Sequence, residues 1–573
     1  MCKLIKLLSL LIFLSWIISQ ARPNFVFILV DDLGWADVSP NNPQTFYETP
    51  NIQKLADEGT VFSQGYASSP VCSPTRASIL CGKNPGLNNL TQFIGGSTNP
   101  EYLKYLPLTD TTLAEALKEN GYDTFFAGKW HLGKEEKYWP ENQGFDINIG
   151  GWSGGGPSGG YFGPFTNPRL PNNGPDGEHL PYRLGDECIS YLESKKNSAK
   201  PFLLYLAFYS VHTRLATTPE LELKYQAKAD SLKVEGPTEG KVHNASWMLV
   251  QRNPIYAGMI ESMDKNVGRI LDKLKELGMD TNTVVFFTSD NGGLATNGRF
   301  STSNLPLKAG KGWIYEGGIR VPYIIKWPGV TKPGSTSDAL AVSMDYYPTI
   351  LEMAGIPLKP KQHVDGRSLV PVLRNEQSNV HSTLYFHYPH KHGSGHKPSS
   401  GIRVGDYKLI NFLNNNDVKL YNLAVDIGET NDLASQKPAL RDSLLGILQK
   451  WWIDADVRFP DGYQKIPGIK LQVEPSVSTK SMVKPIPKAQ FNFQHDADQI
   501  TFNIKHLSGA QSITIYSMNG TKIKEFTNSF KKSDLISLSW NRLDTKGNLT
   551  PSGLYVLQVK TSAQAISKIF MVH

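Results

Sequence analysis

Asn24-Phe25-Val26-Phe27-Ile28-Leu29-Val30-Asp31-Asp32-Leu33-Gly34-Trp35-Ala36-Asp37-Val38 is the stretch whose reading decides the fold. Phe25–Val30 is a short unbroken apolar run, which fits a strand buried on both faces. It stops abruptly at two acids. Further runs of this kind follow at Asp123–Ala127, Phe202–Phe208, Val284–Thr288 and Tyr323–Lys326. Helical patterns separate them. The clearest spans about 255–278, where Met259, Met263, Val267, Ile270, Leu271, Leu274 and Leu277 recur at three- and four-residue steps. Thr111 is a candidate cap for a helix at 112–119, with Glu115 near the reciprocal position. Strands alternating with helices predict an α/β fold with a mostly parallel sheet covered on both faces.

In such sheets, sites gather at the carboxyl ends of the strands. Phe25–Val30 ends in Asp31-Asp32. Asp123–Ala127 ends in Gly128-Lys129-Trp130-His131. His212 follows Phe202–Phe208, and Ser289-Asp290-Asn291-Gly292 follows Val284–Thr288. Acids, an amide, a lysine and two histidines are thus expected on one sheet edge. Asp31, Asp32, Asp290 and Asn291 offer only oxygen, a donor set for Ca²⁺ or Mg²⁺ rather than zinc. A metal beside Lys and His suits the stabilisation of a transferring tetrahedral oxyanion. In Val71-Cys72-Ser73-Pro74-Thr75-Arg76, Pro74 marks a first helical turn. Cys72 and Arg76 would then stand at an electropositive helix N-terminus.

The 573 residues are 40% hydrophobic and 19% charged, with 50 Gly and 37 Pro, which excludes a disordered chain, a coiled coil or a collagen. The net charge of +7 does not describe the body. Residues 487–573 hold ten Lys and Arg against five Asp and Glu, and Lys3 and Lys6 supply the rest. Residues 22–486 are near neutral, so no nucleic-acid partner is expected. Lys3, Lys6 and the apolar run Leu7–Ile18 read as a secretory signal over 1–21, with small residues at the cleavage positions. The alternative, a membrane anchor, needs a longer run. No membrane span is expected once the signal is removed. Cys2 leaves with it. Cys72, Cys81 and Cys188 then remain, an odd number, so at least one is unpaired.

Residues 463–488 read as a Pro- and Lys-containing linker. Beyond it, Ile513–Tyr516, Ile536–Trp540 and Leu554–Val559 alternate with period two between turn signals. This predicts a β-sandwich over 489–573. "IYSMNG" and "SWNRLDTKGNLTPSGLYVLQV" resemble C-terminal sorting domains of the type IX secretion system. A generic Ig-like or carbohydrate-binding module is the alternative.

Cys72-Ser-Pro74-Thr-Arg76 matches the C-x-P-x-R core of the formylglycine-dependent sulfatases, and the fuller match runs to Gly82. Gly128-Lys-Trp-His-Leu-Gly133 is similar to that family's second signature. "NFVFILVDDLGWADV", "TSDNGG", "KAGKGWIYEGGIRVP" and "LYNLAVDIGETNDLA" add to the resemblance, which covers about 22–455 in the family's order. It implies an alkaline-phosphatase-like α/β sandwich. A catalytic domain over 22–380 would be followed by a smaller subdomain over 381–462, carrying a four-stranded antiparallel sheet and a helix. Thr75 stands where Ser is common, Cys81 replaces a small hydroxyl residue, and Asp426-Ile-Gly-Glu429 lacks a usual Pro. Thr213-Arg214 follows His212 where a Pro is common. Arg214 is a candidate contact to an anionic substrate group.

By the same resemblance, a formylglycine-generating enzyme converts Cys72 to 3-oxoalanine, whose hydrate attacks sulfur. One Ca²⁺ (or Mg²⁺) per chain is held by Asp31, Asp32, Asp290, Asn291 and residue 72. His212 is the expected acid for the leaving alcohol, and His131 the base that releases sulfate. Lys129 and Lys311 map onto sulfate-binding lysines, with Lys308 a near alternative, and Arg76 steadies the diol and the carboxylates. The expected substrate is a sulfated carbohydrate, with algal ulvan, carrageenan or fucoidan ahead of animal glycosaminoglycans. Expected placement is secreted or at the cell surface, through the type IX machinery. A formylglycine-dependent phosphodiester or phosphonate hydrolase, or a non-catalytic binder of sulfated glycans, are the rival readings. Two further segments bear on substrate. Gly150–Gly163 reads as a long Gly- and aromatic-rich loop near the site. His387–Lys397, dense in His, reads as a loop for an anionic substrate, with a zinc site as the lesser option.

Overall fold

The computed structural model describes residues 22–96, 99, 102–298, 300–459, 490–496, 499–505, 510–517, 522–526, 535–551, 553–561 and 565–572. The signal reading and the linker over 463–488 lie outside the described residues.

The large sheet has eight strands: β1 (Asn24–Val30), β2 (Thr60–Phe62), β3 (Asp123–Gly128), β4 (Ile147–Ile149), β5 (Phe202–Ala207), β6 (Thr283–Ser289), β7 (Tyr323–Lys326) and β8 (Ser335–Ser337). Their order is β8-β2-β7-β6-β1-β5-β3-β4. Only β7 runs against the rest. The sheet is mixed and mostly parallel, as expected.

Burial on both faces explains why β1 shows no polar alternation. Phe25, Phe27 and Leu29 enter one core, and Val26, Ile28 and Val30 the other. The helices that cover the faces are α1 (Pro50–Asp57), α2 (Cys72–Cys81), α3 (Leu113–Lys118), α4 (Leu180–Ser194), α5 (Pro254–Glu276) and α6 (Tyr346–Met353). The first core takes α2, α3 and α6, and the second takes α1, α4 and α5. The long helix is α5, which starts at Pro254 behind an Asn253 cap whose Oδ1 accepts from Tyr256 N at 3.1 Å. The cap of α3 is Thr112 rather than Thr111. Thr112 Oγ1 accepts from Glu115 N at 3.1 Å, and Glu115 Oε2 accepts from Thr112 N at 2.7 Å. The three-residue spacing of that reciprocal box requires Thr112.

A second sheet is antiparallel and four-stranded: β9 (Thr383–Tyr388), β10 (Ser399–Val404), β11 (Tyr407–Phe412) and β12 (Asp417–Asn422). A helix, α7 (Pro438–Asp454), follows in the chain. Lys408 of β11 is fully buried between Glu316 Oε1 at 2.8 Å and Glu429 Oε1 at 2.9 Å. That triad ties the "EGGIRVP" and "DIGETND" motifs together.

The C-terminal strands fall in a second unit that also takes in Leu433–Gly446. Gln490–Asp496, Gln499–Lys505 and Leu535–Trp540 make one antiparallel sheet. Ala510–Ser517, Lys522–Phe526, Gly553–Thr561 and Ala565–Val572 make another. Ile500, Phe502 and Ile504 of the first pack in one cluster with Ile513, Ile515, Leu557 and Val559 of the second. The predicted β-sandwich is present. Among the described residues no helix is long and apolar enough to cross a membrane.

Candidate active site

Register brings the site together. In the parallel pair β1 and β6, Val30 lies opposite Ser289, so Asp31-Asp32 and Asp290-Asn291 leave the sheet side by side. Gly128 lies opposite Ala207 in the pair β3 and β5, which brings Lys129 beside the start of the segment leading to His212. Asp32 takes φ +62°, a left-handed conformation that Asp tolerates. Asp32 N donates to Asp290 Oδ1 at 3.2 Å, and Asp32 O accepts from Tyr256 Oη at 3.3 Å. Cys72 is the first residue of α2, and all ten residues of that helix are buried. Thr75 Oγ1 bonds both N and O of Ser69, which fixes the approach to the helix.

Three buried cations meet three buried carboxylates. Lys129 Nζ lies 2.6 Å from Asp31 Oδ2, and Lys311 Nζ lies 2.7 Å from Asp32. Arg76 donates from Nε to Asp290 Oδ2 at 2.8 Å and from Nη1 to the Lys129 carbonyl at 2.7 Å. Burial would raise the Asp32 carboxyl, but Lys311 and His212 outweigh it and hold Asp32 below the usual range. Burial pushes Asp31 up to about 8, with Asp290 and Asp32 adding to it and Lys129 opposing. Such opposed shifts within one cleft mark a functional site.

Cys72 Sγ lies 3.4 Å from His131 Nδ1, and His131 Nε2 lies 3.1 Å from Ile94 O. Burial pushes the thiol up while Lys129 and Lys311 pull it down. Burial, then the Lys129 charge, keep His131 neutral. His212 Nε2 stands 3.9 Å from Asp32 Oδ2, and its Nδ1 lies 2.5 Å from Thr213 O.

A cation fits here. Asp31 Oδ1 and Asn291 Oδ1 are buried and accept no hydrogen bond. Ligand atoms of Asp31, Asp32 and His212 lie within 4.8 Å of one another. His212, expected only as an acid, thus stands at the edge of the carboxylate cluster. Asp290 and Cys72 fall outside that group; Asp290 is taken by Arg76 and by Asp32 N.

The two candidate lysines separate. Lys311 reaches Asp32, whereas Lys308 Nζ donates to Glu429 O at 2.8 Å and lies over the Tyr315 ring. The Gly-rich loop does reach the site. A Cβ on Gly155 would fall 2.6 Å from His131 Cε1, and one on Gly156 would lie 3.9 Å from His212 Nδ1. Most imidazoles of the His-rich segment face inward. His387, His390 and His396 are buried and spent internally, on Ser400 and Arg458 O, on Thr91 Oγ1, and on Ser399 Oγ. Strand β9 and the turn after it draw them inward; His392 alone of the four is half-buried. Arg214 is exposed and makes no ion pair among the described residues. Cys81 and Cys188 are free and buried, and burial raises both thiols, Cys81 to about 12.

Two contributors escaped the motif reading. Ile94 supplies a backbone carbonyl, which no side-chain pattern reveals. Asp37, inside the opening stretch, accepts from Tyr256 Oη at 2.7 Å and from Thr302 Oγ1 at 2.7 Å. Its acidity in an apolar stretch was the available signal.

Comparison with known proteins agrees with this geometry. A family model described as sulfatase matches residues 23–356, and one described as N-sulphoglucosamine sulphohydrolase, C-terminal, matches 309–446. The chain is 32% identical over 497 residues to a sulfatase of Formosa agariphila, covering 74% of this chain and 86% of that protein. It is 31% identical to the N-acetylgalactosamine-6-sulfatase of Mus musculus, covering 64% of this chain and 68% of that protein. The crystal structure of Ps i-CgsB in complex with k-i-k-neocarrahexaose is similar with a TM-score of 0.63 and 28% identity, covering 76% of this chain and 93% of that one.

Proposed function

The chain belongs to the sulfatase family and is a sulfuric ester hydrolase, and from that premise we propose that it removes sulfate from a carbohydrate, a sulfated algal polysaccharide of the ulvan, carrageenan or fucoidan class or its oligosaccharides. The observation that carries the reading is Cys72 Sγ at 3.4 Å from His131 Nδ1, at the head of a buried helix. The likeness to Ps i-CgsB, which was crystallised with k-i-k-neocarrahexaose, supports a carbohydrate substrate. We further propose that a formylglycine-generating enzyme modifies Cys72, that the signal over 1–21 exports the chain, and that the C-terminal sandwich serves type IX sorting to the outside or the cell surface.

Converted to formylglycine, residue 72 supplies a geminal diol as nucleophile. A divalent cation, Ca²⁺ by its oxygen donors, held by Asp31, Asp32, Asp290 and Asn291 supplies charge against the sulfate oxygens. The remaining work falls to the side chains. Lys129 and Lys311 add two fixed, buried cations, where each counts most. Arg76 fixes the Asp290 carboxylate and the Lys129 backbone together. His131 donates from Nε2 to Ile94 O, so Nδ1 presents its lone pair to residue 72. Kept neutral, it is a base for the remaining hydroxyl, and its action expels sulfate. His212 commits Nδ1–H to Thr213 O, and a proton carried on Nε2 goes to the leaving alcohol. Burial and the Lys311 and Lys129 charges make that imidazolium a strong acid.

The test is free sulfate released by purified protein co-expressed with the modifying enzyme. The panel is ulvan, carrageenan, fucoidan and glycosaminoglycan oligosaccharides, with Cys72→Ala as control. Release from one algal class, absent in the variant, is expected. Faster turnover of phosphodiesters than of any sulfate ester would overturn the assignment.

A further inference from the structure

Two partly exposed rings sit on the segments that hold the catalytic side chains. Phe93 immediately precedes Ile94, whose carbonyl takes His131 Nε2 at 3.1 Å. A Cβ on Gly96 would fall 2.6 Å from Phe93 Cζ, so the ring lies over its own turn. His392 comes from the turn after β9. A Cβ on Gly312 would fall 2.3 Å from His392 Nδ1, so the imidazole rests on the backbone next to Lys311. Gly312 N in turn donates to Pro70 O at 2.8 Å, two residues before Cys72. The two rings meet edge to face, with centroids 6.1 Å apart. Tyr388 backs both: its ring lies 6.3 Å from His392, and its hydroxyl donates to Gln92 Oε1 at 2.9 Å, beside Phe93. His387, His390 and His396 are buried, whereas Phe93 and His392 are each half-buried and so partly open to solvent.

We propose that Phe93 and His392 form the face on which the pyranose ring carrying the scissile sulfate packs. The inference rests on the carbohydrate reading above. The side chains that meet at the strand ends are charged or polar, which suits sulfate, whereas a sugar ring gains from apolar surface as well. A pyranose presents a face of C–H groups, and a rigid aromatic surface buries that face at little entropic cost. The touching rings stand where two site segments meet, Phe93 next to the residue that bonds His131 and His392 against the residue next to Lys311. They can therefore set the ring's orientation while sulfate enters between His131 and Lys311.

The test is steady-state kinetics of the modified holoenzyme on the oligosaccharide that it desulfates best. Phe93→Ala and His392→Ala should each raise KM about tenfold with a smaller change in kcat, an effect of about 1.4 kcal/mol. Inhibition by inorganic sulfate, which needs only the inner pocket, should stay within about twofold. Phe93→Tyr should restore KM, which a merely structural loss would not predict. An unchanged KM in both alanine variants overturns the inference while leaving the carbohydrate reading intact. A parallel rise in the sulfate inhibition constant overturns it too, since the inner pocket itself would then have moved. A wild-type enzyme that releases sulfate from no glycan overturns both readings.

Discussion

Arg76 grips the Asp290 carboxylate with two nitrogens, Nε at 2.8 Å and Nη2 at 2.7 Å, and both groups are buried. The third nitrogen goes to the Lys129 carbonyl. One guanidinium thereby sets the carboxylate after β6 against the lysine after β3. A lysine cannot reproduce that fork. Arg76→Lys should lower kcat/KM at least about 100-fold, and Arg76→Ala should also cost about 3–5 kcal/mol of stability through the unpaired Asp290. Sulfate release and thermal melts check this; near-normal turnover in Arg76→Lys would show the fork to be dispensable.

Exhaustive chelation should abolish sulfate release, and Ca²⁺ should restore it. The stability effect has a sign. Burial pushes Asp31 up to about 8, whereas an unfolded Asp titrates near about 3.9. A carboxyl raised in this way stabilises the fold while protonated, and its contribution is lost as pH rises from about 4 to about 8. Ca²⁺ needs the ionised form. The gain in Tm on adding Ca²⁺ to chelated protein should therefore be larger at pH 8 than at pH 6. An equal gain at both values would refute this account of Asp31.

Gly155 should tolerate no side chain. Its Cβ would meet the His131 ring at 2.6 Å at Cε1 and 2.7 Å at Nε2. Gly155→Ala should reduce kcat at least about tenfold by turning that ring away from residue 72, with little change in Tm because Gly155 itself is only half-buried. Unimpaired turnover would mean that the loop yields rather than the histidine.

Lys408 is fully buried between two glutamates. Removing it leaves Glu429 without its cation, while Glu316 keeps Arg320 Nη1 at 3.3 Å, so Lys408→Met should cost about 3–5 kcal/mol. Adding Glu429→Gln should recover part of the loss. Calorimetry on the two variants decides it, and equal melting temperatures would show that the triad adds no net stability.

Five of the eight strands of the large sheet were legible as short apolar runs ending near polar residues, whereas β2, β4 and β8, three residues each, carry no such pattern. The reversal of β7 was not legible, since four residues carry no mark of direction. Cys72, Arg76, Lys129, His131, Asp31, Asp32, Asp290 and Asn291 converge as their strand ends and the α2 motif imply. Lys311 was preferred to Lys308 for its place in the matching Gly-Lys-Gly, and the structure puts Lys311 on Asp32 and Lys308 on the Glu429 carbonyl. The His-rich segment was legible only as composition. Composition shows a cluster of imidazoles, but only backbone geometry shows that β9 turns His387 inward. Ile94 was invisible because its carbonyl is common to every residue.

All ten residues of α2 are buried, and Cys72 is only 3% exposed. An enzyme that must clasp Cys72-Ser-Pro-Thr-Arg76 cannot do so once the sheet has closed around it. Under the proposed modification, maturation is a race against folding. Supplying the generating enzyme to protein already folded with Cys72 should leave the mass of that peptide unchanged, while co-expression should convert it. The chain's fate as an active or an inert molecule would then be sealed during biosynthesis, with no later opportunity for repair.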